Sequence, residues 1–457
     1  MLLPTRARAV ILWTACACAS WSTTPGCGSD ATEPTPSPGL DDASPPDASG
    51  SLDVDAAEAP GEPLLVANIS ASAKSSPEIE PHIAQDGAGT LVAVWIAASS
   101  TLGKTIGYVV SHDRGAHWTE PVLIVAPGGR QSTDPTVASD GAGSFYLSWY
   151  GSGGSGGDRI FAAKLARGGD VFGAPVEVAA ADAGYPILDK PWLIVDGRDE
   201  PVVTWVATNG SPSQVMIARS RDGGATFQAT TVATGGSRRL PYLCTDRGAG
   251  AAAPLYLVNV LMGGTPEQIE LRTSADGATW SAPSVIARDA VHQDPTCAAM
   301  GSRVWVGYAQ GTAGVSTTIT PEAESIRVLA SENAAVSFAA AARVSGGPAA
   351  ARYLLPDLLV APPGGLQVAY FQGVVDQPAT LERAVSADNG ATWQTSTVAP
   401  SGVFVSDRQS LRRLGDYIGQ ASDARFTYAV YGDNSGYCGT SQTEHCTHIA
   451  FARLPLR

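Results

Sequence analysis

The chain has 457 residues, with 43 acidic and 29 basic side chains and a formal net charge of −14 at pH 7. A surface of this sign repels phosphate backbones, so nucleic acid is excluded as the expected partner. The chain is also too long for one ordinary compact core, which favours repeats or several domains.

The first 26 residues are typical of an exported chain. Arg6 and Arg8 precede the apolar run 9–13, which is too short and too interrupted to span a bilayer as a permanent helix. Residues 24–30, Thr-Pro-Gly-Cys-Gly-Ser-Asp, resemble a bacterial lipoprotein processing site, and this resemblance implies that Cys27 carries the lipid. We therefore expect a secreted cell-envelope lipoprotein that reaches a membrane only through its anchor. Plain secretion is the alternative.

The next segment, 27–61, is rich in Pro, Ser, Ala and Asp. Nine acidic residues and no Lys or Arg occur between Gly28 and Glu62. Such a composition buries too little apolar surface to fold, so it predicts a solvated tether. Without these nine residues, Arg6 and Arg8, the chain keeps 34 acidic and 27 basic side chains, a net charge of −7.

From residue 62 onward a turn motif recurs every 54 to 57 residues. Its full form is Ser-Ala-Asp-Asn-Gly-Ala-Thr-Trp at 386–393; near copies begin at 111, 220 and 274, and degenerate ones at 165 and 331. Asp can accept hydrogen bonds from nearby backbone N–H groups, Gly supplies left-handed backbone, and the aromatic ring buries between sheets. We interpret the motif residues as structural rather than catalytic: Asp113, Trp118, Asp222, Phe227, Asp276, Trp280, Asp388 and Trp393.

This motif resembles the Asp-box (BNR) repeat of sialidases and related β-propellers, over roughly residues 62–457. The resemblance implies an all-β propeller of four-stranded antiparallel blades. The segments between the motifs are strand-length runs without a helical period, and no linker interrupts them. Second strands, most of which end in an aromatic residue, number seven: they end at Trp95, Trp149, Trp205, Val260, Tyr308, Phe371 and Tyr431. Seven blades are therefore predicted; six, the number of motif copies and of blades in sialidase catalytic domains, is the alternative.

The end of the repeat region predicts how the ring closes. The last unit, 416–457, has three strand-like runs, whereas the run 63–69 has no partner in its own unit. Adding that run to the last unit would hide both sheet edges. We therefore predict that the first strand of the domain completes the last blade.

The cysteines are consistent with export. Cys438 and Cys446 lie in one Gly-, Ser- and Thr-rich loop, where a local disulfide is expected in an oxidising compartment. Cys244 and Cys297 lie in the first strands of consecutive units with an offset of about one position. Because adjacent strand residues face opposite sides, the sequence leaves open a disulfide and two buried thiols. The scattered histidines do not predict zinc.

In the resembling family, ligands bind at the axial face that precedes the first strands. In this chain the charged residues there are Glu80, Asp134, Asp189, Lys190, Arg239, Asp294, Asp357 and Asp416. They predict a negative ring, broken by Lys190 and Arg239, whose carboxylates suit a cation or a polyhydroxylated ligand. No resident cofactor or metal is predicted.

A sialidase also needs three arginines for the substrate carboxylate, a tyrosine nucleophile and an acid-base Asp. The weak catalytic candidates here are Asp416, Tyr417, Arg239 and Tyr353. Where the family has Arg in a Phe/Tyr-Arg-Ile-Pro motif, this chain has Ile79-Glu80-Pro81-His82, and an acid there would repel that carboxylate.

We therefore favour a monomeric, surface-tethered binding propeller for a glycan or another envelope partner. Two alternatives stand beside it: a glycoside hydrolase of exo-sialidase-like architecture, and an assembly scaffold that holds another protein.

Overall fold

The computed structural model describes residues 64–70, 78–99, 102–263, 266–291, 295–311, 323–348, 350–374, 378–404, 414–433 and 447–456. The predictions about the signal peptide, Cys27, the tether, Asp294 and the Cys438–Cys446 disulfide lie outside these ranges. Within them no helix is long and apolar enough to cross a membrane.

The described residues form an all-β structure of short antiparallel sheets, as predicted, with one 3-10 helix at Arg247–Ala252. After β1 (Leu65–Asn68), the first sheet contains β2 (Ile79–Gln85), β3 (Leu91–Ser99), β4 (Gly103–Ser111) and β5 (Val122–Ile124). The second contains β6 (Gln131–Ser139), β7 (Phe145–Ser152), β8 (Arg159–Leu165) and β9 (Val176–Ala180). The third contains β10 (Ile187–Val195), β11 (Pro201–Thr208), β12 (Ser213–Arg219) and β13 (Gln228–Thr234).

The next eight strands form one sheet that consists of two groups of four. The first group is β14 (Ser237–Thr245), β15 (Leu255–Met262), β16 (Glu267–Ser274) and β17 (Ser284–Ala290). The second is β18 (Thr296–Met300), β19 (Arg303–Gln310), β20 (Ser325–Ser331) and β21 (Ala342–Arg343). A single residue pair, Ala290 with Gln310, joins the groups, so each group has the layout of the other sheets.

The remaining strands build one internal sheet and the sheet that contains both ends of the domain. The former has β22 (Ala351–Ala361), β23 (Gly365–Val374), β24 (Pro378–Ser386) and β25 (Gln394–Phe404). The latter has β26 (Gly419–Ser422), β27 (Phe426–Asp433), β28 (His448–Pro455) and β1. β1 is antiparallel to β28, with Leu65 opposite Arg453 and Asn68 opposite Ala450, which confirms the predicted use of the first strand.

The first strands of successive sheets lie next to one another in chain order. β2 contacts β6, β6 contacts β10, and so on through β14, β18, β22 and β26, which contacts β2 again. The core is the set of apolar layers between neighbouring sheets, and it includes the fully buried rings of Trp95, Trp149, Trp205 and Trp305. Three of these are second-strand aromatics that the sequence singled out.

The repeated motif forms a turn between the third and fourth strands of its sheet. In the 386–393 copy, Ser386 Oγ accepts a hydrogen bond from the N–H of Gly390 at 2.8 Å. Asp388 accepts bonds from the N–H and hydroxyl of Thr392, which hold the pKa of its carboxyl at about 2. The copies at 111, 220 and 274 make the same kinds of bonds. The motif aspartates are therefore occupied by turn hydrogen bonds.

Gly115, in the first motif, is expected to tolerate no side chain. Its φ is +80°, and a Cβ there would overlap the ring of Phe451 in β28, the strand that β1 joins. Gly115→Ala should therefore lower the free energy of unfolding by about 2 kcal/mol, from strained backbone and a clash that the buried ring cannot relieve. Urea denaturation followed by tryptophan fluorescence measures this loss.

Gly129→Ala is the matched control, because Gly129 has φ of +67° and no atom within 4 Å of a built Cβ. If both variants lost the same stability, the contact with Phe451 would be irrelevant.

The structure answers the question that the sequence left open for Cys244 and Cys297: they form a disulfide, with Cα atoms 5.8 Å apart. The alternation of side chains along a strand could not decide whether these two cysteines bond, because it only tells which side of its own sheet each residue faces. Cys244 in β14 and Cys297 in β18 belong to neighbouring first strands that face one another. An offset of one position is therefore compatible with a bond between them.

Candidate functional site

Each of five first strands contains a bulge built from a residue and a following proline. The pairs are Glu80-Pro81, Asp134-Pro135, Lys190-Pro191, Leu240-Pro241 and Leu355-Pro356, and each pair lies opposite one residue of the second strand. Proline donates no ladder hydrogen bond, and two residues opposite one define a β-bulge. The residue before each proline has φ between 52° and 55°. This left-handed backbone is costly without glycine, and such strain is found mainly at functional sites.

Three of these bulges bring their charged side chains together. Lys190 Nζ lies 2.5 Å from Asp134 Oδ1 and 3.7 Å from Glu80 Oε1, and it also forms an ion pair with Asp416 Oδ2. The oxygens of the three carboxylates lie within 4.8 Å of one another. We call Glu80, Asp134, Lys190 and Asp416 the lysine cluster. The sequence placed these four residues on one face, and the structure brings them into contact.

The ammonium group of Lys190 lies where an axial cation would have to bind. Burial alone would lower the pKa of Lys190, but the surrounding carboxylates raise it well above its usual value. The cluster therefore carries its own cation. Three carboxylates around one ammonium still leave an excess of negative charge.

Asp189 and Arg239 form a second, looser pair beside the lysine cluster, at 3.7 Å. Each residue directly precedes its bulge, and about a third of the Asp189 side chain is exposed. Burial raises the pKa of Asp189 to about 6, against the opposing effect of Lys190. Asp189 thus titrates in a range where a carboxyl group can give or take a proton.

A layer of aromatic side chains closes the axis next to the lysine cluster. Trp192 stacks on Tyr242 with ring centroids 3.9 Å apart, and His82 and Tyr417 meet Trp192 edge-on at 5.0 and 5.8 Å. Burial lowers the pKa of His82 to about 4, so it is neutral and its Nδ1 accepts a hydrogen bond from Val137. We call these four residues the aromatic layer.

The structure places Asp357 further along its strand than the charged ring of residues to which the sequence assigned it. Leu355 holds the bulge position that corresponds to Glu80, Asp134 and Lys190, while Asp357 lies two residues further on, level with Tyr242. Asp357 Oδ1 accepts hydrogen bonds from the hydroxyls of Tyr242 at 3.1 Å and Thr296 at 3.3 Å. Burial raises the pKa of the Asp357 carboxyl to about 7.

The two tyrosines that are candidates for the nucleophile do not present their hydroxyl groups to the site. The Tyr417 hydroxyl donates to the carbonyl oxygen of Pro135 at 2.8 Å, and Tyr353 is fully buried. Neither arrangement leaves the phenol oxygen open to a substrate.

Three other arginines at or just before the start of a first strand are bonded to the protein; Arg413 lies outside the described residues. Arg238 is buried against Glu270, at 2.7 Å. Arg130 donates to the carbonyl oxygens of Pro127, Ser155 and Gly157, and Arg352 donates to that of Ala351. Arg239 is thus the one arginine that the described residues bring to the lysine cluster, where a sialidase needs three.

No protein-family model and no curated protein matches the chain. Solved structures do. A Hadza microbial sialidase superposes with a TM-score of 0.51 at 14% identity, over 84% of this chain and 66% of that one. A protein of unknown function from Dyadobacter fermentans gives 0.50 at 14% identity, over 87% and 100%. A leech intramolecular trans-sialidase gives 0.49 at 11% identity, over 65% of each chain. At such identities the match shows the fold alone: the chain has a sialidase-like β-propeller fold.

Proposed function

We propose that this protein is a seven-bladed, Asp-box propeller that is exported, anchored through Cys27, and binds a neutral or amino-bearing glycan at the lysine cluster. The closed order of first-strand contacts from β2 to β26 and back supports the blade count. The hydrogen-bonded motif turns support the Asp-box assignment.

The lysine cluster carries the proposal of ligand class. Its carboxylates can accept hydrogen bonds from sugar hydroxyls, and Lys190 can donate one. The excess negative charge attracts an amino sugar and repels the carboxylate of a sialic acid. The absence of an arginine triad among the described residues points the same way.

The path of the chain supports presentation of this site away from a membrane. β1 begins opposite Arg453, whose guanidinium donates to the carbonyl oxygen of Arg114 in the first motif turn. The motif turn lies at the end of β4 that pairs with the start of β3, whereas Glu80 lies at the far end of β2. The first strand of the domain therefore begins at the end of the sheets opposite the lysine cluster, so a tether attached there does not cover the site.

Isothermal titration with chitosan tetramer, cellotetraose and 3′-sialyllactose tests the ligand class. We expect binding of the amino or neutral sugar, no binding of the sialoside, and at least about a tenfold weaker affinity in Asp416→Asn, since hydrogen bonds to charged groups contribute about 1.5–3 kcal/mol. Asp170→Asn, a change at an exposed carboxylate that pairs with His112, is the matched control. Preferential binding of sialyllactose would contradict the proposal.

A glycoside hydrolase is the second candidate, and the raised pKa of Asp189, about 6, favours it, because such a carboxyl group keeps part of its protons near neutral pH and can act as a general acid. Release of 4-nitrophenol from a panel of nitrophenyl glycosides would distinguish the two. Turnover that falls by about a hundredfold or more in Asp189→Asn would support the hydrolase. If neither turnover nor sugar binding is found, the result favours the alternative that the protein is an assembly scaffold.

A further inference from the structure

A cavity lies on the axis, on the other side of the aromatic layer from the lysine cluster. Its volume is about 350 Å³, and it is lined by the first strands β2, β6, β10, β14, β18, β22 and β26. Gln85, Ser139 and Ser422, at or near the ends of these strands, surround its mouth. The cavity therefore opens at the end of the axis where the motif turns lie.

A lone carboxyl group lies at the closed end of this cavity. Asp357 is 6% exposed, and among the described residues that line the cavity it is the only acidic one. Its Oδ1 is held by Tyr242 and Thr296, and its backbone carbonyl oxygen accepts a bond from Gln420 at 2.5 Å. Among the described residues no Lys, Arg or His forms an ion pair with it. A buried carboxylate without a counter-charge is costly.

The wall between the mouth and this carboxyl group is part polar and part apolar. Its apolar part includes Ala84, Ala138, Ile194, Leu359 and the Cys244–Cys297 disulfide. At the mouth, the guanidinium of Arg247 is already paired with Asp199 at 3.0 Å. The cavity thus combines a passage of mixed polarity, with aliphatic side chains along part of it, and one acidic group at its end.

We propose that this cavity binds a small alkylammonium ligand, with its ammonium group against Asp357 and its aliphatic stem along the apolar part of the wall. The carboxylate supplies the negative charge and the hydrogen-bond acceptor that an ammonium group requires. A divalent metal fits less well, because the described lining sets one carboxylate against the two positive charges of Ca²⁺ or Mg²⁺. The inference is independent of the glycan site.

The test is isothermal titration at pH 8 with n-butylammonium chloride and, as a neutral probe of the same shape, n-butanol. Millimolar affinity is expected for the amine and at least about tenfold weaker affinity for the alcohol. Asp357→Asn keeps the shape and should lower amine affinity by at least about tenfold; Asp357→Leu is a second variant that should do the same. Asp170→Asn, far from the axis, should leave amine affinity unchanged.

Each of the following results would overturn the inference: equal binding of amine and alcohol, no binding of the amine up to its practical concentration limit, or amine affinity that survives both changes at Asp357. A loss in Glu80→Gln in place of Asp357→Asn would move the amine to the lysine cluster, and would equally overturn it.

Discussion

Lys190→Met is expected to lower the free energy of unfolding at pH 7 by about 3 kcal/mol, because removing one partner of a buried ion cluster leaves uncompensated charge. In the native protein Lys190 Nζ contacts Glu80, Asp134 and Asp416, and Glu80 and Asp134 are almost fully buried. Without the ammonium group, three carboxylates with oxygens within 4.8 Å of one another repel. Urea denaturation at pH 7 measures the loss.

The pH dependence identifies the cause. Carboxyl groups this close together repel one another less once some of them are protonated, so the destabilisation of the variant should shrink as the pH falls towards 4. Lys104→Met, at an exposed lysine, should change stability little. Glu80→Gln combined with Lys190→Met should be more stable than Lys190→Met alone. An undiminished loss in the double variant would show that the aliphatic stem of Lys190, rather than its charge, is what matters.

The fold was predictable because the same local chemistry recurs at a fixed spacing. Ser386, Asp388 and Gly390 specify a turn through short-range hydrogen bonds, and these can be read from the sequence without any tertiary information. The unpaired run 63–69 then predicted the closure by β1, since an open sheet edge is disfavoured.

The sequence predicted which residues form the lysine cluster, but it did not predict how far along its strand Asp357 lies. Counting residues ahead of each first strand grouped Asp357 with Glu80 and Asp134, yet the bulge position in that strand is Leu355. The sequence did contain a signal for aligning the first strands with one another. A proline recurs at the second position of the bulge in β2, β6, β10, β14 and β22. Proline marks bulges and strand edges because it lacks the N–H that a ladder needs.

What the sequence could not give is the contact between different sheets. The ion pairs of Lys190 join residues 56 to 226 positions apart, and the Cys244–Cys297 bond joins two neighbouring first strands. Such pairs depend on how the sheets pack around the axis, which no local pattern encodes.

Asp357→Asn is expected to remove a pH dependence of stability that is worth about 4 kcal/mol between pH 4 and pH 7 in the native protein. Burial raises the folded-state pKa of Asp357 to about 7 from an ordinary value of 3.8. Between these values the folded chain holds a proton that the unfolded chain releases. The contribution to stability is therefore complete below pH 4 and is lost as the pH rises through 7. The amide of Asn does not titrate, and it can keep the hydrogen bonds from Tyr242 and Thr296.

Urea denaturation of both proteins at pH 5, 6, 7 and 8 tests this prediction. The difference between their free energies of unfolding removes the contribution of carboxyl groups with lowered pKa, such as Asp388, because both proteins contain them. Relative to the native protein, the variant should become more stable at each step, and it should be the more stable of the two at pH 8. A constant difference would mean that the carboxyl group ionises in the folded state as readily as in water. The ionisation of Asp357 also links stability to the axial cavity, because an ammonium ligand that binds only the folded, ionised form stabilises that form by mass action. At pH 8 n-butylammonium should therefore raise the stability of the native protein, whereas Asp357→Asn, with no charge to neutralise, should gain little.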